Sequence, residues 1–130
     1  MPHLIYEYTD NLGDEADIEG LLRKSNQILI AQGGVFPIGG VRSRAIRLTE
    51  YCVADGADAD DAFVHATLKI GAGRAAEEKK KACDELFALI AEHFAGEFAR
   101  RGIALSMECV EFSESGTWKK NNIHARYKKP

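Results

Sequence analysis

Apolar residues along the chain follow two kinds of spacing, which predict strands and helices. Residues 3–8 (HLIYEY) form a short apolar and aromatic run, typical of a strand. A helical spacing follows and ends near the glycines at 33–34, with the apolar positions Ile18, Leu21, Leu22, Ile28 and Leu29. Residues 41–53 are a second extended stretch rich in β-branched and aromatic residues. These segments predict one β-α-β unit.

The second half of the chain repeats this order. Residues 63–70 (FVHATLKI) alternate apolar and mixed positions, as expected for a strand with one buried face. A long helix is predicted next, ending at Gly102, with an apolar stripe of Leu86, Ile90, Phe94 and Phe98. Residues 103–112 form the closing strand. The chain therefore reads as a duplicated β-α-β unit.

Two such units predict an α/β (α+β) fold with a four-stranded mixed sheet and both helices on one face. We expect a single domain over 1–130, with pseudo-repeats at about 2–54 and 62–112 and a C-terminal arm at 113–130. The other sheet face carries apolar and weakly polar residues, namely Ile5, Phe63, His65 and Thr67. Because a whole sheet face of this kind is unfavourable in water, we expect copies of the same sheet to cover it.

The composition excludes several functional classes. The formal net charge of −3 gives no global field that favours nucleic acid or an anionic membrane, so anion recognition must be local. No apolar run approaches the ~20 residues of a membrane helix, and the first residues lack the pattern of a signal peptide. We therefore expect a cytoplasmic protein that contacts neither nucleic acid nor membrane. The tail WKKNNIHARYKK interleaves basic and aromatic residues, as RNA-binding segments do, but its few charges in an acidic chain favour a short hairpin or an arm that packs on a neighbour.

Cysteine and histidine positions indicate no metal site. The three cysteines, at 52, 83 and 109, match neither a disulfide framework nor a zinc site, and we predict buried thiols. The four histidines, at 3, 65, 93 and 124, have no metal-like spacing. Of these, His65 is predicted to pack within the sheet.

Pro2 is the first candidate for chemistry. Proline is tolerated at the first residue of a strand, so a plain strand edge is one interpretation. Methionine is usually removed ahead of a small residue, and loss of Met1 would instead leave a secondary amine. Nearby cations and an apolar wall both lower the pKa of an amine. Such an amine would act as a base near pH 7.

Three arginines are candidates to bind an anion. Arg42 and Arg44 alternate in VRSR and so share one face of a strand, whereas Arg74 ends the segment KIGAGR. Arginine suits bidentate recognition of carboxylates, although paired strand arginines are more often exposed ion-pair partners. The segment GAGRAA also fits a loose dinucleotide-binding pattern, but the chain is too short for a six-stranded dinucleotide-binding sheet. A helix start after GAGR would still favour an anion.

Four segments together carry a resemblance to a known family: MPHLIYEYTDN, GVFPIGGVRSRA, FVHATLKIGAGR and NNIHA. In order and spacing they resemble the 5-carboxymethyl-2-hydroxymuconate isomerase family of the tautomerase superfamily. The resemblance implies a homotrimer whose sheets form a barrel-like core, in which a neighbouring subunit completes each site. It also implies that Pro2, as a processed N-terminal proline, is the catalytic base, with Arg42 and Arg74 as its catalytic partners.

The reaction implied by the resemblance ketonises a dienol that carries three carboxylates, in homoprotocatechuate (4-hydroxyphenylacetate) catabolism. Arg42 and Arg74, with Arg44 as a further substrate-binding candidate, would hold carboxylates while Pro2 moves a proton. No metal or organic cofactor is expected, since the conjugated substrate delocalises its own charge. Ala62 stands where Pro2 stands in the first repeat, so one site per subunit follows.

Two other functions stay open from the sequence. A different superfamily activity, such as hydration, dehalogenation or decarboxylation of an unsaturated acid, would use the same N-terminal proline. A non-catalytic ferredoxin-like module that binds a small molecule has the same order of strands and helices, but it has no use for a free Pro2 amine.

Overall fold

The predicted alternation of strands and helices is present throughout the chain. The computed structural model describes residues 1–128, and the last two residues of the predicted arm, 129–130, lie outside them. The strands are β1 (His3–Thr9), β2 (Arg42–Leu48), β3 (Ala62–Gly71) and β4 (Ile103–Phe112). The helices are α1 (Ile18–Ile30), α2 (Ala76–His93) and α3 (Ala95–Arg100).

The four strands form one mixed sheet in the order β2-β1-β3-β4. Within each repeat the strands are parallel, β1 with β2 and β3 with β4, as a helical crossover between them requires. The two repeats meet along the antiparallel pair β1 and β3 at the centre of the sheet. This arrangement confirms the prediction of a duplicated β-α-β fold with a mixed sheet.

The core lies between the sheet and the two long helices. Helix α1 buries Leu21, Ser25 and Leu29, which are spaced by four residues and so lie on one face. Tyr6 reaches this stripe from β1, and its hydroxyl is 2.7 Å from Ser25 Oγ, which in turn donates to the Leu21 carbonyl at 2.7 Å. Burial raises the pKa of Tyr6 to about 12, against the lowering effect of the Ser25 hydrogen bond.

Three predicted boundaries are wrong in detail. Strand β2 ends at Leu48 rather than at residue 53, because Leu48 pairs with Thr9 and β1 has no residue beyond Thr9 to continue the ladder. Helix α1 ends at Ile30, ahead of the glycines at 33–34. The second predicted helix is interrupted at Phe94, whose φ of −102° and ψ of 16° are not helical, and becomes α2 and α3.

The interruption changes which apolar residues reach the core. Leu86, Ile90 and Phe94 are buried as predicted, but Phe98, four residues later, is 64% exposed because α3 no longer continues the line of α2. The prediction of buried thiols is also wrong for Cys52, which is exposed. Burial, with Cys109 beside it, raises the pKa of the Cys83 thiol to about 12.

The second face of the sheet carries no helix among residues 1–128. Ile5, Phe63, His65 and Thr67 lie on it and are half-buried. His65 crosses to β4 on this face, where Nδ1 is 2.7 Å from Ser106 Oγ and Nε2 is 3.1 Å from Glu108 Oε1. We call this surface the open sheet face. Among the described residues, none of the helices has the length and apolar character needed to cross a membrane.

Candidate active site

The parallel pairing of β1 and β2 brings the amino terminus next to an arginine. Pro2 is buried directly before β1, and its carbonyl accepts a hydrogen bond from the Arg42 backbone N–H at 3.3 Å. The register pairs His3 with Arg42, so the Arg42 side chain lies beside the first residues of the chain. A residue forty positions away in sequence is thereby fixed at the amino terminus by sheet geometry.

The Met1 side chain occupies a position where two strong hydrogen-bond donors meet. Arg42 Nη2 lies 3.2 Å from Met1 Sδ, and Asn121 Nδ2 lies 3.4 Å from the same sulfur. Asn121 Nδ2 also donates to the Gly39 carbonyl at 3.0 Å, which fixes the amide. A thioether sulfur is only a weak acceptor. The donors of Arg42 and Asn121 therefore point at a place that an oxyanion or carboxylate would fill better.

Two glycines allow this close approach. A Cβ atom at Gly40 would lie 2.9 Å from Met1 Cγ, and one at Gly39 would lie 2.7 Å from His124 Cα. Real Cβ atoms essentially never come so close to such neighbours. Because Gly39 and Gly40 have no Cβ, the amino terminus and the turn at His124–Tyr127 can pack closely against them.

Arg74 follows β3 and is held firmly. Its Nε donates to the Val35 carbonyl at 3.2 Å, its Nη1 donates to the Gly71 carbonyl at 3.0 Å, and its Cζ lies 4.6 Å from the centre of the Phe36 ring. These contacts leave further guanidinium N–H groups for a ligand. The Arg74 guanidinium is thus oriented before any ligand arrives.

A pocket of about 250 Å³ opens beside the amino terminus. It is lined by Met1, His3, Arg42, Phe112, Thr117, Trp118, Lys119 and Lys120. Trp118 is 89% exposed and stands at the rim, whereas Lys119 pairs with Glu114 at 3.3 Å. Basic side chains from three separate parts of the chain therefore surround one small cavity.

The electrostatic environment disfavours positive charge at the amino terminus. Burial lowers the pKa of the Met1 amino group most, and the cations Arg74, Lys119 and Arg42 lower it further, while Glu114 raises it. The pKa of His3 is also lowered, first by burial and then by Arg42 and Arg44. The Pro2 nitrogen lies one residue farther along the chain, so we expect burial and these cations to act on a Pro2 amine as well.

The predicted site residues divide into two groups. Pro2 and Arg42 are hydrogen-bonded neighbours at the amino terminus, and Arg74 lies outside the residues that line the pocket but near enough to lower the pKa of the Met1 amine. Arg44 lies one pleat farther along β2 on the open sheet face, where its Nη1 is 3.2 Å from His3 Nδ1.

Phe63 and His65 also lie on the open sheet face, outside the set of residues that line the pocket. Phe63 meets the Tyr51 ring edge-on, with 6.4 Å between the ring centres. Ala62 starts β3, and its N–H donates to the Gly102 carbonyl at 3.0 Å. Because Ala62 is an internal residue, its nitrogen is a peptide amide and the second repeat offers no free amine. No group of three or more His, Cys, Asp or Glu side chains within residues 1–128 is placed to hold a metal ion.

Asn121 and Lys119 were not predicted as site residues from the sequence. Their segment has no hydrophobic periodicity, so nothing in the pattern predicts that it folds back over the amino terminus. The only signal was the motif NNIHA, whose position in the tail favoured an arm instead. In the structure this segment is irregular, with short 3₁₀ turns, and the last of these turns packs against Gly39 and Gly40.

The family model of 5-carboxymethyl-2-hydroxymuconate isomerase matches residues 2–127. A 5-carboxymethyl-2-hydroxymuconate Delta-isomerase of Escherichia coli is 46% identical over 128 residues, which cover 98% of this chain and 100% of that protein.

Similar solved structures include a member of the same family and a more distant protein that shares the fold. A 5-carboxymethyl-2-hydroxymuconate isomerase from Deinococcus radiodurans R1 has a TM-score of 0.95 and 59% identity, with 98% of this chain and 95% of that chain covered. The structure of a W0 fused 4-OT wild-type symmetric trimer has a TM-score of 0.68 at 12% identity, with 91% and 93% covered, and so shares the fold alone.

Proposed function

The chain belongs to the 5-carboxymethyl-2-hydroxymuconate isomerase family, and from this premise we propose that it ketonises 5-carboxymethyl-2-hydroxymuconate with Pro2 as the base. The product is 5-carboxymethyl-2-oxohex-3-ene-1,6-dioate, formed during homoprotocatechuate catabolism in the cytoplasm. One observation carries the proposal. The amino terminus lies among Arg42, Arg74 and Lys119, and partial burial and these cations lower the pKa of the Met1 amine, which is the environment that a neutral amine and an anionic substrate both need.

The proton transfer in this scheme balances within the substrate. The Pro2 nitrogen takes the proton of the 2-hydroxyl group, and C2=O forms as the electron pair moves along the conjugated chain. The double bonds shift to leave C3=C4, and a proton is delivered to C5. Arg42 and Arg74 hold carboxylates and stabilise the negative charge of the dienolate as it develops. The conjugated substrate delocalises that charge itself, so the scheme requires no metal or organic cofactor.

The proposal requires that Met1 be absent from the active chain. While Met1 is attached, the Pro2 nitrogen is part of an amide and is not basic. Removal of Met1 would also release the Arg42 and Asn121 donors from the weak acceptor Met1 Sδ. The same donors would then face a carboxylate or dienolate oxygen, which they bind more strongly. Both requirements of the reaction, a base and donors for an anion, thus depend on one processing step.

The open sheet face supports a further proposal, that the chain forms a homotrimer with these faces packed centrally. We keep Arg44 as a substrate-binding candidate within it, because its guanidinium would lie near the subunit boundary. Ile5 and Phe63 lie half-buried on a face that no helix within residues 1–128 covers, and a solved structure with the same fold is a symmetric trimer. One catalytic domain over 1–130 would then contribute one site per subunit, completed by its neighbour.

Replacement of Phe63 by Glu tests this assembly. We expect the unmodified chain to sediment at three times the chain mass, and Phe63→Glu to sediment as a monomer, because a carboxylate would be buried at each boundary. Phe98→Glu is the matched control, since Phe98 is 64% exposed and lies on α3. A trimer that tolerates Phe63→Glu, or a monomeric parent chain at micromolar concentration, contradicts the proposed packing.

The activity itself is tested with a chain whose intact mass shows that it begins at Pro2. The loss of dienol absorbance is followed with and without the protein. We expect strong acceleration of ketonisation over the uncatalysed rate at pH 7. If the correctly processed chain gives no acceleration, the proposed function is wrong.

A further inference from the structure

The segment that follows β4 forms an ordered wall of the candidate site. Ser113 Oγ accepts the Gly116 N–H at 3.2 Å, and Thr117 Oγ1 donates to the Ser113 carbonyl at 2.8 Å. These local bonds fix the turn at Glu114–Gly116, and the next residues, including Lys119, line the pocket beside Arg42. Lys119 is therefore presented to the cavity by a defined turn rather than by a free tail.

Glu114 already places a carboxylate among the cations of the site. Its Oε2 lies 3.3 Å from Lys119 Nζ, and its Oε1 lies 3.1 Å from the position of a Cβ on Gly71. The Gly71 carbonyl is one of the two that anchor Arg74. The Glu114 carboxylate thus lies between Lys119 and the anchored end of Arg74. Both Lys119 and Glu114 lie near enough to the amino terminus to shift the pKa of its amine, in opposite directions.

The substrate named in the proposed function carries one more carboxylate than the two arginines at the amino terminus can pair with. Arg42 and Arg74 are permanent cations held by the sheet and by backbone carbonyls. A third carboxylate needs a third cation on the cavity wall. Lys119 is such a cation, and a substrate carboxylate can replace its present partner, Glu114. The Glu114–Lys119 pair is largely exposed, so breaking it costs little.

We propose that Lys119 is a specificity-determining residue that binds the carboxylate of the substrate's carboxymethyl arm, and that Glu114 is the internal carboxylate it releases on binding. This inference rests on the proposed function and names the contact by which the site would distinguish a tricarboxylate from a dicarboxylate. A dicarboxylate would leave Lys119 paired with Glu114. The two residues should therefore affect the binding of a tricarboxylate with opposite signs.

The test compares two saturated ligands that differ only in the arm, 2-(carboxymethyl)hexanedioate and hexanedioate. Their Kd values are measured by titration calorimetry on the chain beginning at Pro2 and on its variants. We expect Lys119→Gln to raise the Kd of the tricarboxylate about tenfold, as loss of one charged hydrogen bond predicts. The Kd of hexanedioate should rise less than about twofold. We expect Glu114→Gln to bind the tricarboxylate more tightly, because the competing carboxylate is gone. Lys80→Gln is the charge-matched control, because Lys80 pairs with Asp84 in an exposed position on α2.

The outcomes separate the two claims. The proposed role of Lys119 is wrong if Lys119→Gln weakens the binding of both ligands equally or of neither. It is also wrong if Glu114→Gln binds the tricarboxylate more weakly than the parent chain does. Circular dichroism of each variant excludes a folding defect as the cause. Absence of dienol turnover by the parent chain counts against the proposed function instead, and the calorimetric comparison still decides the assignment of Lys119.

Discussion

A chain with one extra residue ahead of Pro2 is expected to ketonise the dienol about a thousandfold more slowly than the chain that begins at Pro2. The extra residue turns the Pro2 nitrogen into an amide, and loss of a general base typically costs ~10²–10⁴-fold. The extension also fills the space that Met1 fills here, against Arg42 and Asn121. The kcat of the two chains is compared after intact mass has established where each begins.

Pro2→Ala distinguishes the role of the amine from the role of the proline ring. Its processed chain still begins with an amine, so we expect a smaller loss than the extension causes, on the order of tenfold to a hundredfold. An extended chain as active as the processed one excludes the amine as the base. A Pro2→Ala chain as inactive as the extended one would show that the ring, rather than the amine alone, is required.

The pH dependence of the processed chain follows from the same environment. Burial, Arg74 and Lys119 lower the pKa of the Met1 amine. We expect the same groups to lower the pKa of a Pro2 amine, so the acid limb of kcat/KM should have its midpoint below the ordinary α-amino value of about 7.7–8.0. Protonated Pro2 cannot accept a proton, so activity is lost as the pH falls through that midpoint. A midpoint at or above the ordinary value would contradict the assigned environment.

Replacement of Arg42 by Ala is expected to lower kcat/KM about a hundredfold. Removal of one donor that stabilises a developing oxyanion typically costs about 10²–10³ in kcat, and Arg42 also pairs with a substrate carboxylate in the scheme. The fold should not suffer, because the side-chain hydrogen bond that the structure gives Arg42 is to Met1 Sδ, which the active chain lacks. We expect a change in unfolding free energy within about 0.5 kcal/mol.

Two comparisons sharpen the Arg42 result. Arg42→Lys keeps the charge but not the two-pronged geometry, so it should recover only part of the loss. Arg44→Ala should cost less than Arg42→Ala, since Arg44 lies one pleat away beside His3. Arg74→Ala is a poorer test, because Arg74 anchors the Val35 and Gly71 carbonyls and its loss also perturbs the fold. Full activity of Arg42→Ala on the tricarboxylate removes Arg42 from the site.

The fold was predictable from the sequence wherever the hydrophobic period was sustained. The closing strand matches its predicted bounds of 103–112, because alternation continues over its whole length and it pairs with β3 along that length. The sequence pattern overestimates the length of β2. Strand-forming residues continue beyond Leu48, but the partner strand β1 ends at Thr9, which pairs with Leu48. Phe98 was assigned to the core because helical spacing alone does not show a backbone break at Phe94.

The candidate site was predictable only in part. Pro2 and the arginines carry recognisable chemistry, and the parallel direction of β1 and β2 follows from the predicted β-α-β unit, but the register that places Arg42 beside Pro2 does not. Asn121 approaches the amino terminus through its hydrogen bond to the Gly39 carbonyl, and Lys119, two residues earlier, lines the same pocket as Met1. The local spacing of apolar and polar residues contains no information about such a contact, so only the structure reveals it.

The central claim, that the freed Pro2 nitrogen is the base, is tested most directly by releasing it during the experiment. A chain carrying a removable leader ahead of Pro2 is cleaved by a specific protease while dienol turnover and intact mass are followed in the same sample. We expect almost no turnover before cleavage and a rate that rises in proportion to the fraction of chains beginning at Pro2. Equal turnover before and after complete cleavage would contradict it.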